Sequence, residues 1–255
     1  MKVFTFYGMI NLLTILLGFI VPVLLSFLLL GCVGTTPIYS QVYLARLEFN
    51  QTSDLYPRVK AYYETVKLRN VTNLSSVVFK IGYLGTCIEI DETTTCLKIS
   101  NLQDIIKDNG IPLISQSSSK VNLVEITQNY SNSTHPTILI ISIIIAIMIL
   151  LLLCYINLPL VPGIGTVRYI IVVLSILMTL LWGLGSMLQM TAVTTAQNII
   201  GPASLNLIQL SRGARAQAMT WTVFSMIFFV TLAIGFMIIS NRKIYQKPPS
   251  IPHKV

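Results

Sequence analysis

Charge is what this chain most lacks. Only 10% of its 255 residues are Asp, Glu, Lys or Arg, where a soluble globular domain carries about a quarter. With 54% hydrophobic residues and a mean hydropathy of +0.75, that excludes a cytosolic enzyme, a soluble nucleic-acid binder and a disordered tail. Acid is missing altogether outside one stretch. All nine carboxylates (Glu48, Asp54, Glu64, Glu89, Asp91, Glu92, Asp104, Asp108 and Glu125) lie between Cys32 and His135. Histidine is scarce too: His135 and His253 are far apart, and neither has a Cys, Ser or carboxylate partner at a useful spacing. No phosphate-cradling or dinucleotide motif occurs. The chain therefore reads as a non-enzyme with no cofactor and no metal centre.

What is abundant is uninterrupted apolar sequence. Four runs, Gly8–Leu30, Thr137–Ile156, Tyr169–Leu188 and Ala218–Ile239, approach the ~20 residues that cross hydrocarbon, and none contains Asp, Glu, Lys, Arg or His. Nine bases cancel the nine acids between Cys32 and His135, so the net +8 belongs to Lys2, Arg168, Arg212, Arg215, Arg242, Lys243, Lys247 and Lys254. These flank the runs instead of forming a stripe, which speaks for a membrane and against nucleic acid. The positive-inside rule puts both termini in the cytoplasm. Residues 1–31 become a short N-terminus and first span, and 32–136 a large outer loop. Then come spans at 137–156, 169–188 and 218–240, an inner turn at 157–168, a second outer loop at 189–217 and a basic inner tail at 241–255.

Glycosylation acceptors test this topology independently. They occur at Asn50, Asn70, Asn73, Asn129 and Asn132, all in the large loop, while none of the other spans' or flanks' Asn is an acceptor. That pattern fits a plasma-membrane protein made in a secretory pathway. Lys2 before a run ending Leu29-Leu30-Gly31-Cys32 also has the layout of a signal peptide, but at ~22 residues the run is long for one, which favours a retained span.

Within the large loop, Tyr43, Ala45, Leu47 and Phe49 alternate with Arg46, Glu48 and Asn50, predicting a half-buried strand. Val77–Leu84 is a second β-rich run. Ile88–Ile90 and Leu97–Ile99 flank Asp91–Thr95, which reads as a hairpin tip. Arg58–Arg69 is ambiguous between helix and strand, because its Tyr and Val residues favour strand but fit a helix face. Ser100 and Gln103 make a capping-box pattern that predicts a short helix over 101–108. Of the four cysteines, Cys154 lies near the cytoplasmic end of the second span and Cys32 at the outer edge of the first. Cys87 and Cys96 fall on the two arms of the proposed hairpin, in oxidising surroundings, and are expected to pair.

The segment Ile81-Gly82-Tyr83-Leu84-Gly85-Thr86-Cys87, followed by Cys96, resembles the glycine–glycine–cysteine…cysteine signature of a fungal family. Its members are four-span, mating-factor-induced calcium regulators and membrane-fusion proteins, themselves similar to the claudin superfamily. The resemblance implies that Gly82, Gly85, Cys87 and Cys96 are the motif positions. It implies a membrane-helical fold, a four-transmembrane-helix bundle bearing a small extracellular antiparallel β-sheet. It further implies low-affinity calcium influx and cell fusion during mating, with the lipid bilayer and a second copy or a lateral membrane protein, such as a calcium channel, as partners. No tryptophan lies in the large loop, and Tyr83 stands where claudins have Trp, so barrier function is not carried over. The two glycines fit either a close backbone approach or ordinary turns.

Other candidates are weaker. Glu89, Asp91 and Glu92 offer oxygen ligands to calcium at the hairpin tip, but without ligand spacing they fit a solvated turn. The spans lack the acidic rings of cation pores, which favours a regulator over a pore. Arg212 and Arg215 suit interface anchoring or anionic headgroups.

Overall fold

The computed structural model describes residues 2–66, 74–90, 93–98, 136–158 and 164–245. Four long helices carry the apolar runs: α1 (Lys2–Leu29), α4 (Thr137–Ile156), α5 (Ile164–Ala203) and α6 (Ala214–Tyr245). Each is long and apolar enough to cross a membrane. α1 and α5 each pack between α4 and α6, closing a square bundle. Its interior is lined by Val21, Leu25, Met178, Trp182, Val223 and Ile227, around a small cavity that all four helices border through Gly18, Ala146, Met178 and Thr231. The outward residues are just as apolar: Leu12, Leu16, Ile144, Leu151, Leu180 and Phe229 are all exposed. Only a lipid solvent makes such a surface cheap. Hydroxyls inside the helices bond back to their own chain, as Thr14 Oγ1 does to Ile10 O and Ser26 Oγ to Pro22 O, each at 2.8 Å.

Between the first two spans the chain forms a short helical turn α2 (Pro37–Ser40), β1 (Ala45–Phe49), α3 (Tyr56–Val66), a 3₁₀ turn at Leu74–Ser76, β2 (Val78–Ile81), β3 (Gly85–Ile90) and β4 (Thr93–Lys98). The ambiguous Arg58 segment is therefore helical in its described part. The first hairpin strand ends at Ile90 as expected, but the second begins nearer the tip than expected, with Thr93 opposite Ile90. β1 alternates buried and half-buried residues in step with its sequence. Asp91, Glu92 and the helix predicted over 101–108 lie outside the described residues, as do Asn70, Asn73, Asn129 and Asn132.

The stretch expected to be a second outer loop proves to be structured. The apolar run 169–188 is only the middle of α5, whose 40 residues span ~60 Å, about twice the hydrocarbon thickness. Its last turns are amphipathic, with Val193 buried and Ala196 and Ile200 packed against the core beneath the sheet. The helix stops where Asn206 N–H bonds Gly201 O (2.7 Å) and Leu205 N–H bonds Pro202 O (3.1 Å), with Leu205 and Asn206 at positive φ. A further strand, β5 (Ile208–Arg212), follows and pairs with β1. The result is one antiparallel five-stranded sheet in the order β4-β3-β2-β1-β5. The free edge of β5 is covered by α5, since Gln197 Nε2 donates to Leu210 O at 3.1 Å and Ser204 Oγ accepts from Ile208 N–H at 3.1 Å. Leu47, Phe49, Phe79, Ile81, Ile88 and Leu210 face inward as a second core. The sheet thus caps one end of the bundle, and α1 starts and α6 ends at the other.

Candidate functional site: a glycine and cysteine clamp between bundle and sheet

The signature residues meet where the first span leaves the bundle. Beyond Leu29 the chain turns sharply at Cys32, which has φ 61°. Cys32 N–H bonds Tyr39 O at 2.9 Å, and the Tyr39 ring stacks on Phe27 of α1 at 6.2 Å. This pins the Gly31–Cys32 backbone across the turn joining β2 and β3. That turn is closed by Gly82 N–H on Gly85 O at 2.8 Å. A Cβ on Gly82 would run into the Gly31 carbonyl, and one on Gly85 into the Cys32 carbonyl, both inside the 3.0 Å that real Cβ atoms keep. Of the two readings left open by the sequence, close approach is therefore the right one. A second crossing of the same kind was not anticipated: Gly213, between β5 and α6, lies against the Tyr43 carbonyl and donates its N–H to Leu44 O at 3.0 Å.

Cys87 and Cys96 stand directly opposite each other on β3 and β4 and are joined by a disulfide. They point to the outer face of the sheet, opposite the inward Thr86 and Leu97. Cys32 is a free, buried thiol beside them, directed at Val42 O at 3.6 Å. Burial pushes its pKa up to about 12, against smaller downward pulls from the Cys87 backbone and Lys80. A thiol held neutral is a poor nucleophile, which lets it sit beside a disulfide without attacking it. Thr86 Oγ1, between the glycine and cysteine positions, is buried with no hydrogen-bond partner among the described residues. Cys154 is exposed on α4.

The same turn reaches the membrane helices through Tyr83. Its hydroxyl donates to Gln189 Oε1 of α5 at 3.0 Å. Thr220 of α6 also donates to that oxygen at 3.5 Å, and Trp182 Nε1 donates to Thr220 O at 3.3 Å. Gln189 thus ties the β2–β3 turn to both α5 and α6. Arg212 lies on the inner face of β5, donating through Nε to Gln197 Oε1 (3.0 Å) and through Nη2 to Thr194 Oγ1 (2.7 Å). Arg215 is exposed at the start of α6.

Four charged residues of the outer face form two ion pairs. Lys80 Nζ lies 2.6 Å from Glu89 and over the Tyr43 ring at 5.8 Å, and Arg46 lies 2.7 Å from Glu48. Glu89 is thus engaged by Lys80, and Asp91 and Glu92 lie outside the described residues. Among the described residues, no three His, Cys, Asp or Glu side chains cluster to hold a metal ion. Asn50 closes a turn after β1, its Oδ1 accepting from Thr52 N–H (3.0 Å) and Thr52 Oγ1 (2.7 Å). That leaves its Nδ2, the atom a glycan would occupy, without a hydrogen-bond partner among the described residues.

A family model described as the Ca2+ regulator and membrane fusion protein Fig1 matches residues 64–240, most of the chain. The chain belongs to the Fig1 family. The match takes in the glycine–cysteine turn, the disulfide hairpin and the last three spans. The Factor-induced gene 1 protein of Saccharomyces cerevisiae (strain ATCC 204508 / S288c) is similar to it, 27% identical over 244 residues, which cover 86% of this chain and 80% of that one. A Fig1 family protein is named for regulation and fusion, not for catalysis.

Proposed function

We propose that this chain is a claudin-like, multi-pass plasma-membrane protein, termini in the cytoplasm, that promotes low-affinity calcium influx and membrane fusion during mating. The observation that carries the reading is the family match across the disulfide hairpin and the spans. The sheet and its glycans face the partner cell, and the disulfide between Cys87 and Cys96 holds the hairpin in shape for that contact. The protein acts as a regulator, through a second copy or a lateral partner such as a calcium channel. One feature favours that over a pore: none of the four apolar runs contains Asp or Glu, the groups that cation pores usually present as rings.

The test is mating-factor-stimulated calcium uptake at high external calcium, in host cells with and without the gene, alongside a count of fused pairs. A fall in uptake on deletion is expected. Unchanged uptake with lost fusion would sink the calcium half of the proposal and leave an adhesion or fusion protein without ion flux. Currents from the purified chain in liposomes would overturn the regulator in favour of a pore.

A further inference from the structure

Just below the sheet, a shallow, half-open side cleft lies between α5 and α6. Leu44, Gln189, Val193, Arg212, Gln217 and Trp221 are among its walls. The apolar runs 169–188 and 218–239 end beside it, so it straddles the level at which lipid phosphates lie. Its walls carry more donors than acceptors. Arg212 spends two of its five N–H groups on the neutral oxygens of Gln197 and Thr194, and among the described residues it has no carboxylate partner. None is at hand locally, because residues 189–217 contain no acid. The Gln189 oxygen is occupied by Tyr83 and Thr220, which fixes its amide nitrogen as a donor without an acceptor among the described residues. The Gln217 amide and the Trp221 indole N–H likewise have no hydrogen-bond partner there. A half-buried guanidinium with converging neutral donors calls for an anion with several oxygens. Leu44, Met190 and Val193 supply an apolar wall beside it.

We propose that this cleft binds the phosphate of a membrane phospholipid, held by Arg212, Gln217 and Gln189 with its glycerol and acyl chains along the apolar wall. A headgroup there would bridge α5, α6 and β5, tying the sheet to the leaflet beneath it. The proposal does not depend on the calcium reading.

The test is native mass spectrometry of the full chain, delipidated and then offered phosphatidylglycerol, a galactosyl diacylglycerol lacking phosphate, or inorganic phosphate. Wild type is expected to retain one phosphatidylglycerol, and Gln217→Leu and Arg212→Gln to hold it about tenfold more weakly, the scale of one lost charge-assisted hydrogen bond. Arg212→Gln can also loosen β5, so Gln217→Leu, which breaks no side-chain hydrogen bond among the described residues, is the deciding variant. Equal retention by wild type and Gln217→Leu overturns the proposal, as does equal retention of the galactolipid. Displacement of the lipid by inorganic phosphate alone would mark a free-phosphate site and overturn the lipid assignment.

Discussion

Replacing Gly85 with alanine tests the clamp most directly. The added Cβ would overlap the Cys32 carbonyl and press on the Leu97 carbonyl at 3.2 Å. Both neighbours are backbone, so neither can swing aside as a side-chain tip would. Cys32 is held by its hydrogen bond to Tyr39 O and by the turn at φ 61°, and Leu97 by its pairing with Thr86. Overpacking a well-filled site costs ~1–3 kcal/mol, and with two rigid neighbours the upper end applies. Against a typical total of ~5–15 kcal/mol that is a large share, and it corresponds to a fall in Tm of roughly 6–12 °C for a chain of this size. The assay is the apparent Tm of detergent-solubilised protein by size-exclusion chromatography after heating, together with surface labelling of intact cells. Gly235→Ala serves as the control, because a Cβ there meets nothing within 4 Å, and should leave both readings unchanged. A Gly85→Ala protein with wild-type Tm and surface level would refute the close-approach reasoning.

Cys87→Ser and Cys96→Ser each open a hairpin whose cross-link is worth about 2.5–3 kcal/mol through the unfolded chain. Both variants should be retained inside the cell, as surface biotinylation would show, and normal surface levels would count against a structural disulfide. The buried Cys32 thiol has its pKa raised from 9.0 to about 12, so its contribution to stability is intact below pH 9 and is lost as pH rises toward 12. An alkaline loss of Tm in that window should shrink in Cys32→Ala; an identical profile in both proteins would show that another group is responsible. Ser204→Ala leaves the Ile208 N–H at the edge of β5 without its 3.1 Å acceptor and should cost about 1–2 kcal/mol. Hydrogen exchange at that amide should rise in step; unchanged exchange would mean the edge is sealed some other way.

Much that depends on neighbours along the chain was legible in the sequence, though the Tyr56–Val66 helix was not. Lipid-facing and core-facing residues of the spans are alike apolar, so run length alone locates the spans. β1 announces itself by alternation, because Ala45, Leu47 and Phe49 face one core. The cysteine pair could be read because a hairpin brings residues nine apart face to face. The amphipathic end of α5 was also visible in principle, in the three- and four-residue spacing of Val193, Ala196 and Ile200, but a hydropathy window hides it by ending the span where polar residues begin. Tertiary structure alone decided the rest. Ile208–Arg212 is too short to be a strand by itself and becomes one because β1 offers an edge and α5 covers the other side. The signature glycines were recognisable as positions, yet the reason for them lies in Gly31 and Cys32, about fifty residues away. Periodicity records which face of an element is buried. It carries no record of which distant backbone will lie against it, and that contact is what forbids a side chain at Gly82 and Gly85.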